Sequence, residues 1–574
     1  KDVVKKCVLL CKQLKLSPEQ LAEEYEAFTF NQKLDTDEID IKSLDKFEIH
    51  KLKQQQFTKF NAPISVGNKR KFEKPTETSN TTTSDSINDK KSSIQPPHKK
   101  GKRKPIIPKA EDTKLCRDKA GQIVVDWNSE LPSSIEEAKT VSSVNITFPY
   151  SEQSLTETND SIRYMYDSLA NRSKTFEDIS QTIHNRIEFE LLAENATTAD
   201  MYDQKVTLVC TEQLEPFHLF LQTPVISTGR IGKETVAQED SSSLFIESTH
   251  AGIPVRTKLN VERLRAYSVF PGQVLAIKGA NPTSKLFRLN AIRAPSVLPA
   301  FPSKVNKGIN IMSACGPFVL HKVSINLEPL ELLLEQVRER KPDVLVLNGP
   351  FVDQRQVESN GGVIQHHGTD YTAEQWFRVQ IDMIMESVQN LPTKVLILPS
   401  NTDIHHSYCV YPQPRYTLKH HELGKKLFFL NDPSTFTLNN EITIGSTSVD
   451  TLAHLASEEI VKRPPTNPNK PYDRISVLLE HILQQGSYYP LYPPSESVCI
   501  DSSLVQNMQM DKNAPNILIV PSDFLPFVKL IGETLCINPG RVSKGTGGTY
   551  SHIIVHPQNS KKPHTNTRVE VVNI

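Results

Sequence analysis

Hydrophobic and polar positions divide the 574-residue chain into stretches of different period. Over residues 1–60 the apolar positions keep helical spacing. Val4, Cys7, Val8, Cys11 and Leu14 form one stripe, and Ser17-Pro18-Glu19-Gln20 reads as the capped start of a helix that turns Leu21, Tyr25 and Phe28 inward. A third segment runs from Ile41 to about Phe60, completing a small all-α module. From 61 to 145 the period dissolves into Thr, Ser, Asn, Lys and Pro, as in TETSNTTTSDS, so a disordered linker is expected. Residues 146–204 read as a connector of one or two helices. Between 205 and 303, β-type runs alternate with turn signals: VTLVC, VISTGRIG, SLFIEST, IPVRTKL, QVLAIKGAN and KLFRLNAI. From 304 to 574, strands such as GINIMSAC, PDVLVLN, KVLIL, EITIGSTS, NILIV, ETLCIN, SHIIVH and RVEVVNI alternate with amphipathic helices. That alternation predicts an α/β sandwich built on a mixed sheet.

The strand spacing of 205–303 suits a small closed barrel of OB type. Such a barrel could bind a single strand, with Phe245, Phe270 and Phe287 stacking on bases beside Arg230, Lys258 and Arg288, or it could serve protein contact. The 1–60 module has two readings as well, a docking unit for a partner or a plain helical cap. The candidate for chemistry is the loop after Val344–Leu347. This unbroken apolar run, ended by Gly349-Pro350, reads as a central parallel strand, and ligands gather beyond the carboxyl ends of such strands.

Charge narrows the choices. Lys+Arg and Asp+Glu both total 66, so nucleic-acid contact requires a local patch. Lys99, Lys100, Lys102, Arg103 and Lys104 form one in the linker, readable as a nuclear-import signal, a phosphate-binding tract or a solvated basic linker. The eight cysteines show no C-x-x-C spacing, and Cys7 and Cys11 fit a buried helix face better than half a zinc site, which points to a reducing compartment. Neither a signal peptide nor a run of about 18 apolar residues is visible, so no membrane span is expected. The sequence starts at Lys1 rather than methionine, so residues are expected ahead of it.

The order and spacing of the strand-end loops in 304–574 resemble the calcineurin-like metallophosphoesterases. That family carries Asp-x-His, Gly-Asp-x-x-Asp/Glu, Gly-Asn-His-Asp/Glu and Gly-His-x-His at successive strand ends, because two divalent ions need several carboxylate and imidazole ligands. Here the first loop reads Ala314-Cys315-Gly316-Pro317 and the second Asn348-Gly349-Pro350-Phe351-Val352-Asp353. The third reads Ser400-Asn401-Thr402-Asp403, and the last two Pro521-Ser522-Asp523 and Asn538-Pro539-Gly540-Arg541. Asn348, Asp353, Asn401 and Asp403 are then vestigial positions, and an Arg541 cation opposes metal. Asp403-Ile404-His405 is a literal Asp-x-His but follows the wrong strand, and His366-His367 and His420-His421 read as loop histidines. Lys544–Thr549 lacks the Gly-Lys-Ser/Thr ending of a phosphate loop and leads into a strand, and no Gly-x-Ser-x-Gly elbow occurs. The resemblance therefore implies an inactive phosphoesterase-type domain with no catalytic residue, metal or cofactor.

Several long irregular strings across 205–574 resemble the family of DNA polymerase α–primase B subunits: YSVFPGQ (Tyr267–Gln273), NGPFVD (Asn348–Asp353), DIHHSYCVYPQP (Asp403–Pro414), SYYPLYPP (Ser487–Pro494) and NPGR (Asn538–Arg541). The resemblance implies a non-catalytic subunit of a nuclear replication complex. Its barrel and phosphoesterase-type domains would grip the C-terminal zinc-binding region of the catalytic polymerase subunit, with primase reached through the complex. Its N-terminal module would recruit other replication factors, and contact with DNA would be weak or indirect. Tyr488, Tyr489 and Tyr492 of SYYPLYPP are candidate interface anchors, or rings that pack the loop onto its own domain. Two rival functions remain: a metal-dependent phosphoesterase or nuclease with a degraded site, and a single-stranded DNA-binding module.

Overall fold

Val344–Asn348 shows how the body is layered. Its side chains alternate between two cores, Val344 and Val346 into one and Leu345 and Leu347 into another, so the strand is buried on both faces. The computed structural model describes residues 119–134, 144–148, 164–199, 214, 216–234, 244–250, 253–321, 325–359, 361–416, 426–464, 472–544, 547–557 and 562–574. The 1–60 module, the basic tract Lys99–Lys104, VTLVC and His420-His421 lie outside the described residues.

The elements used below are β1 (Ile123–Trp127), β2 (Ile146–Thr147), α1 (Leu169–Ala199), β3 (Leu221–Lys233), β4 (Leu244–His250), β5 (Ile253–Asn260), β6 (Tyr267–Val269), β7 (Val274–Asn281), β8 (Leu286–Arg293) and β9 (Ile309–Cys315). They continue with α2 (Glu328–Arg340), β10 (Val344–Asn348), α3 (Ala373–Val388), β11 (Lys394–Leu398), β12 (Leu427–Phe429), β13 (Ser434–Leu438), β14 (Ile442–Ser446), α4 (Thr451–Glu458), β15 (Ile460–Lys462) and α5 (Arg474–Gln485). The last are β16 (Ile517–Ile519), β17 (Phe527–Ile531), β18 (Thr534–Asn538), β19 (Thr549–Val555) and β20 (Thr567–Asn573).

Two sheets face one another, where the sequence pattern predicts a sandwich on one mixed sheet. The larger has the order β1-β20-β19-β9-β10-β11-β12, with β9 through β12 parallel; the smaller has the order β2-β13-β14-β16-β18-β17. Ile309, Ile311, Val344, Val346, Leu396 and Ile553 from the first meet Phe436, Ile444, Ile517, Ile519, Leu535 and Ile537 from the second. Each such side chain contributes about 1.5–3 kcal/mol by leaving water. Helices α2 and α3 cover the outer face of the larger sheet through Leu330, Leu333, Val337, Trp376, Ile381 and Ile384. Helices α4 and α5 cover the outer face of the smaller through Leu452, Leu455, Leu478 and Ile482. Helix α3 starts in a full capping box between Thr372 and Gln375, and α5 runs from an Asp473 cap to Gly486 at φ 61°.

The strand β1 corrects the linker reading of 61–145. Ile123–Trp127 pairs with β20 at the sheet edge, and Arg568 fastens the turn after it by donating to the carbonyls of Ser129 and Leu131. Five strands close a barrel in the order β3-β4-β5-β8-β7, with β5 and β8 parallel. Among the described residues the connector holds one helix, α1, and its Ile183 and Ile187 pack on Val274 and Ala276 of the barrel.

Barrel and body are joined as one unit. Strand β6 pairs with β15, so Ile460 of the body completes the barrel core. Gln485 of α5 accepts from the Val274 amide and donates to its carbonyl, both at 2.9 Å, extending the barrel ladder by a side chain. Phe270 is buried in the body's own core.

Candidate functional site

The strand-end loops singled out in the sequence do converge. They line a cleft of about 430 Å³ whose wall includes Pro317, Pro350, Asp353, Asn401, Asp523 and Arg541. Two glycines let the loops close on one another. A Cβ on Gly316 would stand 1.9 Å from the Pro350 carbonyl oxygen, and one on Gly349 would stand 2.7 Å from an Asp403 carboxylate oxygen.

Arg541 is held from several sides. Its Nε donates to Asp523 Oδ1 at 3.0 Å, one terminal nitrogen lies 4.0 Å from Asp450 Oδ2, and the other donates to Cys315 Sγ at 2.9 Å. Burial disfavours the guanidinium charge, but Cys315, Asp523 and Asp450 outweigh burial and raise its pKa further. Burial pushes the Cys315 thiol up to about 11 despite the neighbouring cation, so this sulfur is a poor ligand and nucleophile at neutral pH.

The carboxylates are committed to the backbone. Asp403 accepts from the amides of Phe351 and Val352 at 2.7 and 2.8 Å and from the Tyr416 hydroxyl, tying the third loop to the second. Burial raises its pKa against these bonds, and Asp353 beside it is raised by burial as well. Asn348 donates to Ser446 Oγ and the Thr447 carbonyl, stitching the larger sheet to the smaller, and Asn401 donates to the Ser497 carbonyl. His405 is packed between Phe377 and Tyr416, ring centroids 4.1 and 4.9 Å away, and burial lowers its pKa to about 3. The literal Asp-x-His is therefore built into an aromatic core. His366 packs at a tilt against Trp376, ring centroids 5.3 Å apart, and does not line the cleft. Among the described residues no group of three or more His, Cys, Asp and Glu side chains is placed to hold a metal ion.

The sequence reading missed the loop after β14. Asp450 caps α4, accepts from the Asp523 amide at 2.7 Å and faces Arg541, while His454 bonds Tyr489 Oη and Ser497 Oγ. The signal was present: EITIGSTS is followed by Val449-Asp450 just before an apolar helix, a strand end meeting a cap. Beneath this loop lies Asp432, fully buried, accepting from the Ser448 amide at 3.0 Å and from its hydroxyl. Burial raises its pKa to about 6, only partly offset by Ser448. A raised folded pKa favours the protonated form, so its contribution to stability is complete below about pH 4 and is lost as pH rises through 6. Asp432→Asn should keep the Ser448 amide bond at Oδ1, reverse the other so that Nδ2 donates to the Ser448 hydroxyl while that hydroxyl donates to the Pro399 carbonyl, and remove that loss. Unfolding free energies from urea titrations should fall less between pH 5 and 7.5 in the variant, by on the order of 1 kcal/mol; equal pH dependence would contradict the account.

The tyrosine candidates need correction. Tyr488 and Tyr489 are each 1% exposed and sit in the core over the smaller sheet, so they are packing residues and not interface anchors. Tyr492 is half-buried against Phe176, ring centroids 4.4 Å apart, with Arg230 over its face. The aromatic route to single strands is likewise closed. Phe270 and Phe287 are fully buried, Phe245 lies under the Arg256 guanidinium, and Arg230 is held by the Phe176 carbonyl and Ser180.

Fold and cleft together define an OB-fold barrel fused to an α/β body whose strand-end loops are closed by an arginine. Three family models match the chain. The N-terminal domain of the DNA polymerase alpha B subunit matches over residues 1–54, the OB domain of the same B subunit over 198–293, and the DNA polymerase alpha/epsilon B subunit over 311–529. Curated relatives named as the B subunit of DNA polymerase alpha include that of Rattus norvegicus, 33% identical over 60% of this chain and 57% of that protein. That of Drosophila melanogaster is 36% identical over 52% and 46%, and that of Schizosaccharomyces pombe 27% identical over 80% and 79%. The matched region spans about half the length of the rat and fly relatives. Among solved structures, Chaetomium thermophilum Vps29 aligns with 46% of this chain and 96% of its own at a TM-score of 0.19 and 9% identity. The chain belongs to the family of DNA polymerase alpha B subunits.

Proposed function

We propose that the protein is a non-catalytic accessory subunit of DNA polymerase α–primase. On this reading the fused barrel and body are a rigid platform. They bind the C-terminal zinc-binding region of the catalytic polymerase subunit, tether it to primase, and position both for primer synthesis and extension in the nucleus. The α/β body is then a phosphoesterase-type domain that has lost its metal chemistry, and the N-terminal module recruits other replication factors. The observation that carries the reading is Arg541, a buried cation clamped by Asp523, Asp450 and Cys315 where strand-end loops of this type would hold metal. The joined barrel and body suit a scaffold, because a partner gripping both meets one fixed surface. No described helix is long and apolar enough to cross a membrane.

The test is co-elution of the full chain with the C-terminal zinc-binding segment of a polymerase α catalytic subunit. A one-to-one complex at micromolar concentration is the expected result. Failure to form one, together with retention of about two manganese ions per chain, would favour a phosphoesterase or nuclease instead.

A further inference from the structure

The barrel turns one strongly basic side to solvent. In β5, β7 and β8 the inward positions are apolar, Leu259, Leu275, Ile277, Phe287 and Leu289, so the alternate positions point outward. Those outward positions, with the turns beside them, carry Lys258, Arg263, Arg265, Lys278, Lys285 and Arg288, all exposed. The register gathers them. Lys258 lies level with Leu286 next to Lys285, Asn260 lies level with Arg288, and Ala280, two residues after Lys278, pairs with Arg288 from the other side. Acidic residues are few. The described ones between Leu221 and Arg293 are Glu234, Glu247 and Glu262, and Glu234 is already shared between Arg256 at 3.5 Å and Lys258 at 3.2 Å.

This charge stands out in a chain whose formal net charge is +0. Electrostatic attraction to phosphates supplies most sequence-independent nucleic-acid binding. Single-strand sites add a groove and exposed aromatic rings on which bases stack. This side of the barrel is convex, and its aromatic Phe287 points into the core at 0% exposure. The exposed ring nearest this side is Phe220, just before the Leu221–Asn281 pair, and one ring at the margin gives no run of stacking platforms. The side therefore offers mainly point charges, which suit a duplex, where phosphates are presented at fixed spacing with the bases turned inward.

The geometry points to a binding site for the sugar-phosphate backbone of duplex nucleic acid on the outer β5-β8-β7 side of the barrel, read by charge and not by sequence. It is carried by the barrel alone and stands whether or not the chain pairs with a polymerase subunit. The test compares the full chain with the variant Lys258→Ala/Lys285→Ala/Arg288→Ala. Fluorescence anisotropy is read on a labelled 20-base-pair duplex and on a single strand of equal length, over a salt series. The expected result is a loss of duplex affinity of about tenfold or more at 0.1 M salt. The slope of log K against log salt should fall by about one for each phosphate contact removed. Because the three side chains are exposed, the unfolding temperature should not move, which separates lost binding from lost fold. Unchanged duplex affinity and slope would overturn the proposal. So would a loss confined to the single strand. Binding of poly-glutamate that the variant loses while duplex binding persists would also overturn it, and would make this a face for an acidic protein.

Discussion

Glu570→Ala is expected to destabilise the body by about 3 kcal/mol or more and to loosen the segment before β2 from the sheet. Glu570 sits on β20 between β19 and β1, 4% exposed, with Arg568 Nη2 at 2.8 Å and Arg340 Nη1 at 3.3 Å. His552, paired with it across the β19–β20 ladder, acts together with Arg568 and Arg340 to hold its carboxyl down to about 2 against the opposing effect of burial. Removing one member of a buried charge cluster leaves the others uncompensated, which commonly costs 3–5 kcal/mol. Here two guanidiniums lose their shared anion. Arg568 also holds the Ser129 and Leu131 carbonyls, so the effect should reach the edge strand β1. Protease sensitivity within 119–134 is therefore expected to rise with the fall in melting temperature. The pH dependence has a definite sign. A depressed folded pKa gives stability that is present above about 4.5 and lost as pH falls through 2. Glu570→Gln should show a flatter stability curve below pH 4.5 than the parent. A melting temperature and cleavage pattern equal to the parent's would show that the cluster is incidental.

The sequence and the structure agree where a strand or helix has a strong period of its own. The apolar run Val344–Leu347 and the stripe of Trp376, Phe377, Ile381 and Ile384 each specify an element whatever surrounds them. The short strands β12, β13 and β17 escaped because Leu427–Phe429, Ser434–Leu438 and Phe527–Ile531 alternate weakly and take their conformation from neighbours. Strand β1 escaped for a sharper reason. Ile123 and Val124 stay about half exposed at a sheet edge, and their pairing partner lies more than 400 residues away in β20, which no local window can register. The site was legible as a set of loops, since Asn348, Asp353, Asn401, Asp403 and Arg541 all line or underlie one cleft. Their bonding was not, because it depends on which loop meets which: Asp403 caps amides of the second loop, and Asp450 arrives from a loop whose sequence marks a helix cap but not a contact with Arg541. The tyrosines show the opposite failure. SYYPLYPP has the composition of an interface loop, and only the packing around it reveals that the rings of Tyr488 and Tyr489 point inward.

Tyr488→Ala should unfold or severely destabilise the body, a loss of about 3–5 kcal/mol, without any partner present. The residue is pinned at every polar atom. Its hydroxyl lies 2.7 Å from Thr435 Oγ1, its amide donates to the Met508 carbonyl at 2.9 Å, and its carbonyl accepts from Thr451 Oγ1 at 2.9 Å. Gly445 on β14 makes room for the ring, since a Cβ there would stand 2.2 Å from the tyrosine oxygen. Gly445→Ala should therefore be nearly as damaging as Tyr488→Ala, while Tyr488→Phe, which keeps the ring and loses one hydrogen bond, should cost about 1 kcal/mol. The two sites are coupled through that oxygen, so Gly445→Ala should cost less in the Tyr488→Phe background than alone. Melting temperatures of the four proteins, measured on the isolated chain, give the coupling directly. Strict additivity would mean that the glycine serves β14 and not the ring. Full stability of Tyr488→Ala, combined with loss of a catalytic-subunit complex, would restore this tyrosine as an interface anchor and contradict its burial.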